Sequence, residues 1–174
     1  MGIQFETDYN METLTAMAKG LRKTVRKKRS RRVHIFAAVV LILGLLTILA
    51  AVAGGEPLGA SGVVTLLAML VVILVSLFED KLNAWFARKR LLPGTEHAVA
   101  TFEEDGYVSA TGVTESRFSY AQIVAVAETA RYFVFALSSH HTQAYDKRNI
   151  RGGSVEDFRA FIAEKTGKLV EKIK

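Results

Sequence analysis

Two long uncharged stretches stand out in the pattern of apolar and polar positions along the chain. Residues 33–53 contain no acid or base apart from His34 at their edge, and residues 63–78 contain none. Extended back to Leu58, the second stretch also reaches the roughly 20 residues that a helix needs to cross a bilayer. Neither stretch has the polar face of a soluble amphipathic helix. The pattern therefore predicts a membrane helical hairpin with spans at about 33–53 and 58–78.

Basic residues gather on the two outer sides of this hairpin, whereas the loop at 54–62 contains Glu56 and no base. Since Lys and Arg resist translocation, both termini are predicted to be cytoplasmic. The simpler interpretation of the bases is that they fix this topology and solvate the helix. The second is that they contact anionic lipid of the inner leaflet, with Trp85 as an interface anchor. The candidate contacts are Arg26, Lys27, Lys28, Arg29, Arg31, Arg32, Arg88, Lys89 and Arg90.

Composition narrows the function classes. The chain has 174 residues, a formal net charge of +6 and no cysteine. The excess of bases lies in the two hairpin flanks, and residues 91–174 are nearly neutral, so a nucleic-acid partner is not expected. Without cysteine there is no disulfide, thiolate nucleophile or thiolate metal site.

The remaining pattern predicts four regions. Residues 1–32 form a short strand and a basic helix, which Asp8 or Asn10 caps and which runs into the first span with little or no break. Residues 33–78 form the hairpin. Residues 79–93 form a juxtamembrane linker that ends at Pro93-Gly94, where a helix cannot continue.

Residues 94–174 change to the two-residue period of β-strands. Strands are predicted at 97–102, 107–111, 115–120, 122–127, 131–137 and 142–146, joined as an antiparallel meander. A helix follows, with Ser154 and Asp157 as a capping box and Gly167 as its stop. The last residues form a short strand or a frayed tail. The fold class is a membrane α-helical hairpin plus an α+β domain, a small antiparallel β-barrel or sheet capped by the C-terminal helix.

This order of elements resembles the YcxB-like family of bacterial membrane proteins. The segments that carry the resemblance are 101–106, 118–123, 131–135, 146–148 and the helix around Phe158, Phe161 and Ile162. The resemblance implies a cytoplasmic domain similar to the pleckstrin-homology (PH) fold, in a protein of the bacterial cell membrane. It implies no activity and no catalytic residues, because none is established for the family.

Candidate chemistry is sparse. His140 and His141 are adjacent, so on a strand they point to opposite faces and form a poor metal chelate. The acids at 103–105 fit a solvated hairpin turn. Gly152-Gly153-Ser154 could place a phosphate on a helix N-terminus, but the acids Glu156 and Asp157 would repel it. We therefore expect no catalytic residue, no metal and no cofactor.

Three functions are compatible with these observations. The leading hypothesis is a non-enzymatic, membrane-anchored binding or regulatory module that contacts membrane lipid and possesses a protein partner or forms a homo-oligomer. The first alternative is an immunity protein that protects against a toxin in the membrane. The second is an oligomeric channel or transporter subunit, for which the spans offer only Thr47, Thr65 and Ser76 as polar lining.

Overall fold

The helical hairpin is present in the computed structural model, which describes residues 2–55 and 59–173. The helices are α1 (Met11–Lys23), α2 (Lys27–Ala53), α3 (Ala60–Leu77), α4 (Glu79–Arg88) and α5 (Val155–Thr166). Both α2 and α3 are long and apolar enough to span a membrane, and neither contains a buried residue. The predicted start of the second span at Leu58, together with Glu56 and Pro57 of the loop, lies outside the described residues.

The helix before the first span differs from its prediction in one respect. Asn10 caps α1 by accepting hydrogen bonds from the backbone of Glu12 and Thr13. However, α1 does not run smoothly into α2, because the backbone leaves helical geometry at Thr24 (φ −107°, ψ −93°). The amide of Arg26 instead donates to the carbonyl of Leu21. The sequence has no Pro or Gly at this point, so local propensity did not predict the break.

The β-domain consists of two sheets. In the described residues the strands are β1 (Ile3–Asp8), β2 (His97–Phe102), β3 (Tyr107–Thr111), β4 (Glu115–Phe118), β5 (Ala125–Glu128), β6 (Tyr132–Ala136), β7 (Thr142–Asp146), β8 (Ile150–Arg151) and β9 (Val170–Lys172). One sheet has the order β4-β3-β2-β1-β8 and the other β7-β6-β5-β9. Strand β1, from before the hairpin, pairs antiparallel with β2, with Ile3 opposite Phe102 and Asp8 opposite His97.

The predicted α+β domain with a C-terminal helix is confirmed, but its sheets are not closed into a barrel. The chain leaves the first sheet at Phe118 and makes a 3₁₀ turn at Tyr120–Gln122, with Ser119 and Gln122 as a capping box. This turn delays β5 to Ala125, three residues later than predicted. It thereby separates the two sheets along the chain.

The C-terminal residues, which were predicted to be either a short strand or a frayed tail, form a strand. Strand β9 is formed, and it pairs parallel with β5, with Val126 opposite Val170. Within each sheet the consecutive strands of 97–146 pair antiparallel as predicted, but they form two meanders instead of one, and β9 adds a parallel pair at the edge. The capping box of Ser154 and Asp157 and the left-handed stop at Gly167 (φ 62°) are both present. Because Gly167 turns the chain sharply after α5, the tail returns to the open edge of β5.

Aromatic side chains fill the core between the sheets and α5. Phe5, Phe102, Phe133, Phe135 and Phe158 are fully buried. Their rings contact one another mostly edge to face, for example at 4.6 Å between the centroids of Phe5 and Phe158, an arrangement that aromatic pairs favour. A strand from before the hairpin thus contributes to the same core as the segment after it.

Candidate functional site

A cleft of about 530 Å³ lies where the helical hairpin meets the β-domain. Helix α1 forms its floor, because α1 lies between α4 on one side and strands β6 and β7 on the other. We call it the juxtamembrane cleft, since it extends along α2 to Val33, the first residue of the uncharged stretch. It is lined by Leu14, Met17, Ala18, Leu21, Arg22, Arg26, Arg29, Ser30, Val33, Glu79, Asn83, Phe86, Ala87, Arg90, His140, His141 and Thr142.

Helix α1 is held against the sheet at a position without a side chain. A Cβ atom at Gly20 would lie 2.7 Å from Cγ1 of Val134 on β6, closer than packed carbon atoms approach. One turn earlier, Ala16 packs on Val134 and Tyr132. These small residues bring the helix backbone close to the sheet, and the contact fixes the floor of the cleft.

An ion pair joins α1 to α4 beside the membrane end of both helices. The Nε and Nη2 atoms of Arg22 donate to the two carboxylate oxygens of Asp80, at 2.7 and 2.6 Å. Glu79 lies 3.8 Å from the same guanidinium. The hydrogen bond from Arg22 to Asp80 raises the pKa of Arg22. This bidentate, partly buried geometry is the strong form of a salt bridge.

A second arginine connects the β6–β7 turn to the beginning of α2. The Nε of Arg26 donates to the carbonyl oxygen of Ser139 at 2.6 Å, and its Nη2 donates to Nδ1 of His140 at 2.9 Å. A guanidinium has five N–H donors, so donors of Arg26 remain after these two bonds. The contact holds the hairpin tip, including both histidines, beside the first turn of α2.

The structure divides the basic residues predicted from sequence into two groups. Arg26, Arg29 and Arg90 line the juxtamembrane cleft. The others do not: Arg88 lines a separate depression with His97, and the exposed remainder are Lys27, Lys28, Arg31, Arg32 and Lys89. Lys89 places Nζ 3.6 Å from the ring centroid of Trp85. Trp85 is half-exposed on α4, and its predicted role as interface anchor stays a prediction.

Arg22 and His140, whose polar contacts shape the cleft, were not among the predicted contacts. Arg22 belongs to the basic segment, and the signal for its pairing was Asp80, an acid directly after the second span. From sequence, His140 was considered only as half of a poor metal chelate with His141. Its contact with Arg26 joins positions more than a hundred residues apart, and no local pattern predicts such a contact.

The buried acids of the β-domain, Glu128 and Asp146, do not line the cleft and instead form ion pairs within the domain. Glu128 accepts hydrogen bonds from Arg159 and Lys147, with nitrogen–oxygen distances of 2.7 to 2.9 Å. The bonds from Arg159, and then from Lys147, outweigh the effect of burial and lower the pKa of Glu128 to about 2. Asp146 is likewise paired with Arg131 and Arg148. In the residues that the structure describes, no group of three metal-ligating side chains occurs.

Comparison with known proteins relates part of this architecture to a family. Residues 102–162 match the family model described as YcxB-like protein. This YcxB-like segment runs from the last residue of β2 into α5 and contains most of the strands that carried the resemblance. The family resemblance inferred from the sequence is confirmed for these residues. No curated protein and no solved structure matches the chain.

Proposed function

We propose that this chain is a membrane-anchored, non-enzymatic binding or regulatory module, whose β-domain is held against the cytoplasmic leaflet of a bacterial cell membrane. The observation that carries the proposal is the docking of α1, the helix preceding the first span, onto β6 and α4. Gly20 allows the close approach to the sheet, and Arg22 with Asp80 locks α1 to α4. The module is thereby attached by two packed helices instead of a flexible linker.

The charge distribution supports a cytoplasmic position for both termini. Helix α2 begins with five bases and has no acid in its first turn. Cations at a helix N-terminus oppose the helix dipole, so their cost must be offset by another interaction. An anionic inner leaflet supplies that interaction, and the positive-inside rule gives the same orientation.

The arrangement of the β-domain supports a binding role. Two mainly antiparallel sheets followed by a capping helix are an order similar to the PH fold, which we propose as its fold family. The buried acids Glu128 and Asp146 are committed to basic partners. Hydrogen bonds from Arg159 and Lys147 lower the pKa of Glu128, so this carboxylate stabilises the fold and is poorly suited to general acid or base chemistry at neutral pH.

Two measurements test the proposal. The chain lacks cysteine, so a single cysteine at Gly55 or at Lys168 reports topology without background. In intact cells a membrane-impermeant maleimide is expected to label the Gly55→Cys variant only. Labelling of Lys168→Cys in intact cells would contradict the cytoplasmic assignment.

The second measurement addresses binding. Full-length protein purified in a mild detergent is expected to retain anionic lipid or a partner protein, and to prefer anionic over zwitterionic liposomes. Recovery of the protein alone, together with equal insertion into both kinds of liposome, would overturn the binding function.

A further inference from the structure

We propose that the juxtamembrane cleft binds the phosphate headgroup of a single anionic phospholipid, at its membrane end between Arg26 and Arg29. The inference deepens the proposed function, on which it rests, by naming the ligand class and the place where it binds. It differs from a diffuse attraction between basic residues and the leaflet, because it assigns binding to two arginines among many.

The cleft has an excess of positive charge. Four arginines line it, whereas Glu79 is the single acid among the described lining residues. Arg22 is neutralised by Asp80. In the described part of the chain no hydrogen bond or ion pair engages Arg29, whose side chain lines the cleft beside Arg26. The site therefore presents an unneutralised guanidinium next to one that is already positioned.

Arg26 is suited to receive a phosphate. Its bonds to Ser139 and His140 fix the guanidinium and leave donors available. Because the side chain is already ordered, binding an anion costs little further side-chain entropy. Arg and phosphate form short, charge-assisted and often bidentate hydrogen bonds. Ser30, one turn after Arg26, adds a hydroxyl to the same lining.

Apolar surface continues from the charged end of the cleft in both directions. Met17 and Phe86 also line the cleft, and Val33 lies where the cleft reaches the membrane-spanning part of α2. Val33 is exposed by 54%, and after His34 no acid or base follows in the span. A ligand that fits this position needs an anionic group to contact the arginines and a hydrocarbon chain to contact α2. A phospholipid has both parts, whereas a free phosphate has only the first.

The volume is also suitable. At about 530 Å³ the cleft falls within the range of small-molecule sites, roughly 300–1,000 Å³. It can hold a glycerophosphate headgroup, while the acyl chains remain in the bilayer. Arg90 lies at the other end of the lining, on α4, so it is not assigned to the phosphate.

The test uses the full chain in nanodiscs or in detergent with defined mixtures of phosphatidylglycerol and phosphatidylcholine, and native mass spectrometry counts the bound lipids. We expect one phosphatidylglycerol to bind each chain in preference to phosphatidylcholine. Arg29→Gln is expected to weaken this binding about tenfold. Arg29 is solvent-exposed, so the substitution leaves the packed core intact.

Two further variants provide matched comparisons. Arg31→Gln removes the same charge two residues later, outside the cleft lining, and is expected to weaken binding less than twofold. Lys168→Gln removes a charge from the exposed tail after α5 and is expected to have no effect. Equal losses for Arg29→Gln and Arg31→Gln would overturn the proposal in favour of a diffuse charge effect.

Competition distinguishes the two sources of phosphate. Inorganic phosphate or glycerol 3-phosphate at millimolar concentration is expected to leave the bound phosphatidylglycerol in place. Displacement by either would overturn the lipid assignment, because the site would then recognise a soluble anion.

A second readout separates this proposal from the proposed function. Trp85 is the single tryptophan of the chain, so lipids brominated near the headgroup quench its fluorescence only if α4 lies at the bilayer surface. Quenching without lipid selectivity would overturn the cleft site and leave the anchored module intact. Absence of quenching from either lipid would count against the anchored module itself.

Discussion

The helical hairpin and the two helices that extend it, α1 and α4, form an upper and a lower half whose side chains have different contacts. In the upper half, α2 and α3, every residue is at least partly exposed, and from Val33 onward the large exposed side chains, His34 apart, are apolar. In the lower half, α1 and α4, the side chains of Leu14, Leu21 and Ala84 are buried. The upper half presents the apolar surface that a membrane-spanning helix needs, and the lower half contacts protein.

The proposed function requires the hairpin to be both anchor and scaffold, and this difference supports it. For an apolar helix without a polar face, contact with lipid is as favourable as packing on a soluble domain. Helix α1 is amphipathic, so burial on the sheet stabilises it. The change from one pattern to the other occurs near Thr24 and Phe78, where both helices also change geometry. The juxtamembrane cleft lies at that change.

The largest expected effect is a loss of stability of the β-domain, on which α1 packs, when the ion pairs of Glu128 are removed. Glu128→Gln leaves Lys147 and Arg159 without their carboxylate, and loss of one partner of a buried ion pair costs about 3 kcal/mol. We expect the near-UV circular dichroism of the domain to be lost at a lower temperature, while the far-UV helical signal of α2 and α3 persists. Glu104→Gln, which removes an exposed pair with Lys165, is the control and should shift the transition far less.

Lowering the pH tests the stabilising effect of the Glu128 carboxylate in a second way. The pKa of Glu128 is about 2 in the folded domain, below its ordinary value near 4.5. Its contribution to stability is therefore complete above about pH 4.5 and is lost as the pH falls towards 2. The denaturant-unfolding free energy of the parent should decline in this window more steeply than that of Glu128→Gln. Parallel declines would contradict the assignment.

The next effect concerns the contact between α1 and the sheet. In Gly20→Ala the new Cβ collides with Val134, and overpacking of this kind costs about 1–3 kcal/mol. We expect hydrogen exchange of the α1 amides to accelerate. Adding Val134→Ala removes the colliding methyl groups and should restore part of the protection. Simple additivity of the two substitutions would show that the collision is not the cause.

A smaller effect is expected from the ion pair between the lower helices. A double-mutant cycle with Arg22→Gln and Asp80→Asn should give a coupling free energy of about 1 kcal/mol, since the pair is bidentate and partly buried. The same cycle on the exposed pair of Arg117 and Glu103, whose nitrogen–oxygen distance is 3.7 Å, should give a value near zero. Equal coupling free energies at both pairs would contradict the claim that the pair of Arg22 and Asp80 stabilises the contact between α1 and α4.

The smallest effect is predicted in the upper half. A Cβ at Gly44 would approach the sulfur of Met69 at 2.8 Å, a distance similar to that at Gly20. The flexible thioether can move aside, however, and alanine favours the helix. Gly44→Ala should therefore change the unfolding free energy by less than about 0.5 kcal/mol. A loss as large as that of Gly20→Ala would contradict the contrast between the two halves.

Local patterns predicted the parts of the fold that depend on nearby residues. The uncharged stretches predicted α2 and α3, Ser154 and Asp157 predicted the start of α5, and Gly167 predicted its end. In each case the signal and its effect lie within a few residues. The short strand before the basic helix was predicted for the same reason.

Features that depend on distant residues were not predictable in this way. The parallel pairing of β9 with β5 requires the position of α5, which brings the tail back to the sheet. The role of Gly20 appears only when α1 is placed on Val134. The cleft combines the two flanks of the hairpin with the turn at His140. The sequence alone did not distinguish the arginines of the cleft from the other basic residues of the flanks.

The central claim is that the lower half of the hairpin and the β-domain form one rigid body at the bilayer surface. Because the chain has no cysteine, spin labels can be placed at the exposed Lys23, the last residue of α1, and at Lys168, after α5. The distance between them is measured by double electron–electron resonance in lipid nanodiscs. A single narrow distance distribution is predicted. A broad distribution, as expected for a domain on a flexible linker, would contradict the claim.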